Sequence, residues 1–367
     1  MLVIDARKFA DAGIGTYLRQ LVPRVLLRLP KVSCQLWLSD RGRVWLADVQ
    51  AQLGARVQGV MLPARPLSLG EQRVLRQQLR PDQLFWATTL SHPLLYCGPM
   101  VATIHDVAQL ALPTAMAGGR FTQVASWVFL HSLRRSALEL LFVSEFSCEE
   151  FSRRVGVSRQ STTVTPLGVD PAWFAARGVG ERPQAQPYFI SVSSVRPHKN
   201  FGFLVQAFAA VADRLPHQLV IVGESQGLRT VDAGLAAQVE ALGGRVRFLG
   251  RIPDADLRQW VAHADAMVFP SLYEGFGLPP IEAMAAGCPV LSSTAGALQE
   301  VCGEAAPYFD PHDTSSLQAA LLAHVTSSPQ ERQARITLGL ARARHYDWER
   351  TADLTAEVFA RALHTLS

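Results

Sequence analysis

Two glutamates, Glu274 and Glu282, stand eight residues apart in SLYEGFGLPPIEAMAAG, with Gly275, Phe276, Gly277, Leu278, Pro279 and Pro280 among the residues between them. The apolar run AMVFP just before them reads as a strand. A helix is expected to begin near Pro279 or Pro280, because proline suits the first helical turn. The glycines let backbone N–H groups point outward at a helix N-terminus, where the dipole favours an anion. A phosphate or pyrophosphate fits there, flanked by one carboxylate on the loop and another one turn into the helix. Each can accept a hydrogen bond from a hydroxyl, one on a sugar and one on a ribose. The same spacing also suits a plain strand–turn–helix with two solvated glutamates.

Four other groupings carry chemistry. In VSSVRPHKN, Arg196, His198 and Lys199 follow the strand YFISVSS. Fixed cations beyond a strand end suit a leaving diphosphate; the alternative is a polar loop with Asn200 capping the next helix. In VATIHDV, His105 and Asp106 follow an apolar strand. A histidine there can bind a sugar hydroxyl or shuttle protons, or be a core histidine held by Asp106. In ARKFADAGIGTYLRQL, Gly13 and Gly15 open a helix after the strand LVID. Position 18 is Leu, so the third glycine of a dinucleotide fingerprint is absent and a nicotinamide-dependent dehydrogenase is disfavoured. The loop still suits close approach to a ligand. Finally, PDADL holds a D-x-D before a helix, where Asp254 reads better as an N-cap than as a metal ligand.

These groups need elements to position them. Strand-like runs (LVID, CQLWL, VQGVML, LFWATT, MVATIHD, LLFVSEFS, TTVTPLGV) alternate with helix-patterned stretches such as TYLRQLVPRVLLRL. The alternation implies βαβ units and a mostly parallel sheet. The Gly- and Pro-dense segment 167–186 breaks the pattern. It then restarts with YFISVSS, HQLVIVGE, RVRFLG, AMVFPS and PVLSS. The expected organisation is an acceptor-side α/β domain over residues 1–166 and a linker over 167–186. A nucleotide-sugar domain follows over 187–345, then an amphipathic C-terminal helix over 346–367. Ligands in open α/β sheets bind at the carboxyl ends of strands. Two such domains facing each other would set two ligand edges across one cleft.

Composition agrees with two large cores: 367 residues, 49% apolar and 18% charged. Five cysteines (Cys34, Cys97, Cys148, Cys288, Cys302) lack a C-x-x-C pair, which argues against a disulfide framework or zinc site and for a reducing compartment. Asp5 stands where a signal peptide would be apolar, and no run of apolar residues is long enough to span a bilayer. The expectation is a cytoplasmic protein. Residues 1–180 hold 20 Lys+Arg against 12 Asp+Glu (+8), and residues 181–367 hold 15 against 19 (−4). The first half therefore suits an anionic membrane surface at the inner face of the cytoplasmic membrane, with Arg73, Arg76 and Arg80 at helical spacing in LGEQRVLRQQLRP. Solvated Arg-rich helix faces give the same balance. No basic run is interleaved with aromatics, so nucleic acid is not an expected partner.

The E-x7-E block within EGFGLPPIEAMAAGCPV resembles the signature of family-4 glycosyltransferases of the GT-B fold. The likeness runs along nearly the whole chain, through the GIG loop, TIHD, VSEFS, TPLGVD, VGE, FLG and the late Trp348 in YDWER. Within that family the chain looks most like bacterial mannosyltransferases of polysaccharide assembly. The resemblance implies retaining, metal-independent transfer of a hexose from a nucleotide-diphosphate sugar. GDP-mannose is favoured over a UDP-sugar, and the acceptor is a saccharide or lipid-linked saccharide. Carried over by position, Glu274 contacts donor-sugar hydroxyls. The amides of Phe276, Gly277 and Leu278 hold sugar and phosphate oxygens, and Glu282 binds the ribose. Lys199 lies on the diphosphate, His105 beside the sugar, and Gly13 and Gly15 in the loop that closes on them. Ile252 lies where main chain touches the base. Many members have a basic residue directly before this lysine, or an arginine five before it. Here His198 and Ser194 occupy those places, and Arg196 is the substitute cation. A catalytically silent sugar-nucleotide-binding protein is the rival reading.

Overall fold

The computed structural model describes residues 1–62, 68–113, 119–157, 161–223 and 233–366. Seven parallel strands form the first sheet: β1 (Leu2–Asp5), β2 (Cys34–Leu38), β3 (Val57–Met61), β4 (Leu84–Ala87), β5 (Met100–Ile104), β6 (Glu139–Phe142) and β7 (Ser161–Val164). Their order is β3-β2-β1-β4-β5-β6-β7. Six more form the second: β8 (Tyr188–Val192), β9 (Gln218–Val222), β10 (Val246–Gly250), β11 (Ala266–Phe269), β12 (Val290–Ser293) and β13 (Tyr308–Phe309), in the order β10-β9-β8-β11-β12-β13. Every residue of β1, β4, β5, β6 and β11 is buried. Such strands lie under helices on both faces and read as continuous apolar runs. The doubly wound α/β class expected from the sequence is what forms, twice. The two-residue β13 is too short to leave a periodic signal, and sequence reading missed it.

Contacts divide the chain into Met1–Gly168 with Asp347–Ser367, and Val169–Tyr346. The C-terminal helix Trp348–His364 thus returns to the first unit. Its inward face is apolar: Trp348, Val358 and Phe359 are buried, and Phe359 lies 4.8 Å from Trp86 between ring centroids. Gly168 has no room for a Cβ because the backbone of Trp348 lies against it. On the outward face Glu349 pairs with Arg24 and Arg28 of the helix Gly13–Arg28 at 2.8 and 3.0 Å.

Two details differ from expectation. The segment read as a linker contains the helix Pro171–Ala175, capped by Asp170 and packed through buried Trp173 on the second unit's helix Leu278–Ala285. The Arg73–Arg80 stretch is only partly helical: the helix Leu69–Gln78 stops before Arg80, which precedes Pro81, because proline disfavours helical backbone in the residue before it. Arg80 pairs with Asp82 instead.

The first unit's stability should depend on the buried rather than the charged face of its last helix. Phe359→Ala is expected to cost about 3–5 kcal/mol, and Glu349→Ala less than about 1 kcal/mol. Urea unfolding followed by tryptophan fluorescence measures both; equal effects would refute the ranking.

Candidate active site

In each sheet the strand order reverses once beside the first strand of the unit, between β1 and β4 and between β8 and β11. Such a switch point leaves a crevice at the carboxyl ends of the strands, since the adjoining connections run to opposite faces. The segments leaving β8 and β11 carry VRPHKN and SLYEGFG.

The second unit brings two of the expected residues into contact. Lys199 Nζ donates to Glu274 Oε1 at 2.7 Å, with both side chains largely buried. The backbone locks the pair in register. The Leu272 amide donates to the His198 carbonyl at 2.8 Å, and the Ala297 amide to the Glu274 carbonyl at 2.9 Å. Gly296, at φ 62°, passes so close that a Cβ would meet the Glu274 backbone, and a Cβ at Gly223 would run still closer to the Ser193 carbonyl. Sequence reading singled out neither glycine. Asn200 occupies the N-cap position expected of it, at φ 59°, but its side chain donates to the Pro311 carbonyl rather than capping the helix. Arg196 opens the short turn Pro197–Lys199 and is exposed; the structure does not bring it against Glu274.

The loop after Glu274 ends at Gly277, whose φ of 104° favours glycine and which is the N-cap of the helix Leu278–Ala285. The helix starts one residue before Pro279. The amides of Gly277 and Leu278 stand where no preceding turn supplies acceptors, and Pro279 and Pro280 have no N–H. Phe276 is buried and stacks edge-on against Tyr346 at 5.3 Å. Glu282, half-buried on the same helix, has its carboxyl raised from the usual 4.5 to about 7, chiefly because burial disfavours the charged form. The Trp173 side chain donates to it and opposes the rise, while the charges of Asp170 and Asp254 add to it. Trp173 carries no sequence signal for this role beyond its type. Asp254 is the first residue of the helix Asp254–Ala262, one place after its N-cap Pro253, so the expected capping role is corrected by one residue. Ile252 follows Gly250 at the end of β10 and is half-buried.

In the first unit, His105 follows β5 and sits edge-on to Tyr17 at 4.8 Å. Its Nε2 lies 3.1 Å from the Thr88 carbonyl. A carbonyl only accepts, so Nε2 carries the proton and Nδ1 is left as an acceptor. Burial pulls the imidazole down to about 4, so the ring is neutral near pH 7. Asp106 accepts the Ala108 amide at 2.9 Å. The two loop glycines have different reasons to exist. A Cβ at Gly15 would run into the Phe9 carbonyl, whereas none of the surrounding atoms comes within 4 Å of one at Gly13. The first is a packing requirement; the second is open space at a helix start.

The pH response of Glu282 follows from its burial. Its folded-state pKa is raised, so the stability it contributes is present below about 4.5 and lost as pH rises towards about 7. Glu282→Gln keeps an acceptor for Trp173 and removes the charge. The variant is expected to match the wild type near pH 4 and to exceed it above pH 7 by up to about 3 kcal/mol. Urea midpoints of both proteins across that range measure this, and a pH-independent difference would overturn it.

Residues 186–327 match the sequence family described as Glycosyl transferases group 1. The O-antigen chain mannosyltransferase B of Escherichia coli is 27% identical over 382 residues, covering 96% of this chain and 97% of that protein. The glycogen synthase of Mycobacterium tuberculosis is 30% identical over 300 residues, covering 77% of this chain and 69% of the relative. Among solved structures, Anabaena Alr3699/HepE in complex with UDP-glucose superposes with a TM-score of 0.78 over 98% of this chain and 99% of that one, at 19% identity. The switch-point crevices, the Lys199–Glu274 pair and these likenesses together make the chain a member of the group 1 glycosyl transferases, an enzyme family of the GT-B fold.

Proposed function

We propose that the protein transfers mannose, with retention of anomeric configuration, from GDP-mannose to a saccharide or lipid-linked saccharide during polysaccharide assembly. The Lys199–Glu274 pair at the β8/β11 switch point carries this reading. A cation and a carboxylate 2.7 Å apart match the two ends of a sugar–diphosphate linkage. On donor binding Lys199 turns its charge to the diphosphate, and Glu274 accepts from sugar hydroxyls. The amides of Phe276, Gly277 and Leu278 hold sugar and phosphate oxygens, Glu282 takes the ribose, and Ile252 lies against the base. The full-length likeness to an O-antigen mannosyltransferase supports mannose as the sugar.

Retention in this reading means that the acceptor attacks from the face the diphosphate leaves. The protein's work is then positioning and charge stabilisation. Lys199 and the exposed Arg196 meet the charge that grows on the departing diphosphate. In the first unit, His105 offers neutral Nδ1 to a sugar hydroxyl, and the Gly13–Gly15 loop approaches the substrate closely.

Peripheral attachment to anionic membrane through the first unit is part of the same proposal. No helix among the described residues is long and apolar enough to cross a membrane. The helix Gly119–Ser136 nevertheless presents Phe121, Val124 and Trp127 at 78%, 62% and 50% exposure, and Arg73 and Arg76 are exposed on the helix Leu69–Gln78. Exposed apolar anchors and cations on the same unit suit a headgroup layer.

GDP should raise the melting temperature more than UDP or ADP, and GDP-mannose should be turned over. Preference for UDP would overturn the donor, and binding without turnover would favour a silent sugar-nucleotide-binding protein. Arg196→Ala and Lys199→Ala should each lower kcat by about 10²–10³, with the double variant less than additive because both act on one diphosphate. A severe His198→Ala beside a silent Arg196→Ala would move the role to His198.

Vesicle cosedimentation tests the membrane part. Recovery with anionic vesicles should fall at high salt and fall further in Trp127→Glu. Equal recovery with neutral vesicles would refute it.

A further inference from the structure

The carboxyl edge of the first sheet encloses a cavity of about 510 Å³, within the range of small-molecule sites. It opens at the switch point between β1 and β4, beneath Asp5, Thr89 and His105. Its one largely buried cation is held by two carboxylates. Arg7 donates through Nε and Nη2 to Asp5 at 2.8 and 2.6 Å and through Nη1 to Glu71 at 2.7 Å, so one guanidinium is shared by two buried carboxylates. Lys8 pairs with Asp11 at 2.8 Å. Asp106 adds a carboxylate, and His105 is neutral for the reason given above. Among the described residues lining the cavity, two cations, Arg7 and Lys8, stand against three carboxylates, Asp5, Asp11 and Asp106, so the surplus charge is negative.

Neutral polar groups in the same wall are not satisfied. Ser91 Oγ, Ser126 Oγ and Gln109 Oε1 are buried without a hydrogen-bond partner, and all three line the cavity. Ser126 is fully buried and Ser91 is 6% exposed. A buried polar atom left without a partner is costly, so three in one wall point to a ligand that supplies hydroxyls. Leu62, Leu90 and Leu130 provide apolar wall between them.

We propose that this cavity receives the end of an uncharged saccharide acceptor and discriminates against sugars bearing phosphate or carboxylate. The inference rests on the glycosyl-transfer reading and adds the acceptor's chemical class to it. Hydroxyls satisfy Ser91, Ser126 and Gln109. An anionic substituent meets a net negative wall whose one largely buried cation, Arg7, is already held by two carboxylates, a juxtaposition that disfavours it.

Saturation-transfer NMR on the full-length protein, with methyl α-mannoside and mannose 6-phosphate as probes, tests this. The glycoside should bind at least about tenfold more tightly than the phosphate. Ser126→Val and Ser91→Ala should each weaken the glycoside, because each removes a hydroxyl that it satisfies. Glu71→Gln should narrow the gap by releasing part of Arg7 to the phosphate. Equal or tighter binding of the phosphate overturns the proposal. So does failure of both probes to bind, or glycoside binding unaltered by both serine variants. GDP binding measured on the same samples keeps the donor reading separate: its absence in the wild type would sink that reading while leaving the sugar discrimination intact.

Discussion

A parallel sheet covered by helices on both faces has one place left for chemistry. Its backbone is fully paired, its side chains are buried above and below, and only the carboxyl-terminal ends of the strands open outward. In this chain both sheets obey that constraint, and in both the order reverses beside the unit's first strand. Several of the polar groups singled out for the proposed chemistry lie at or just beyond such an end. Lys199 follows β8, Glu274 follows β11, and Asp5 and His105 close β1 and β5. The apolar strands therefore do two jobs. They supply the burial that stabilises each unit, and they leave their carboxyl ends open to polar groups.

Charge is kept differently at the two edges. In the second unit a single cation and a single carboxylate hold each other in a largely buried pair. Breaking such a pair without replacement is costly; in the proposed reading the donor's diphosphate and hydroxyls supply that replacement. Glu282, close by on the helix Leu278–Ala285, sits in the opposite condition: burial favours its neutral form, with the Trp173 side chain as donor. A neutral carboxyl both donates and accepts, which suits vicinal hydroxyls.

The first unit's edge carries more ionisable groups and less usable charge. Arg7 is held between Asp5 and Glu71, and the Thr88 hydroxyl donates to the Asp5 carbonyl, fixing the end of β1. What remains open to a ligand is mostly hydroxyl, amide and carboxylate oxygen. The two edges thus differ in the chemistry they can recognise although the sheets share one winding rule.

The sequence by itself determined the fold class, because strand-like runs alternating with helical patterns mark a parallel α/β sheet, and twelve of the thirteen strands are legible that way. It also determined the E-x7-E block and the cations after β8, since a glycine- and proline-marked strand–loop–helix has a local signature. It did not give β13, two residues long, nor the helical turn in the segment read as a linker, whose Trp173 packs on a helix about a hundred residues later. The Lys199–Glu274 contact, the orphaned hydroxyls of Ser91 and Ser126 and the double hold on Arg7 were decided only by tertiary structure. Pattern in a sequence reports which face of an element is apolar. Whether a particular polar atom finds a partner depends on residues brought together from distant parts of the chain, 75 positions apart for Lys199 and Glu274, and no local period records that.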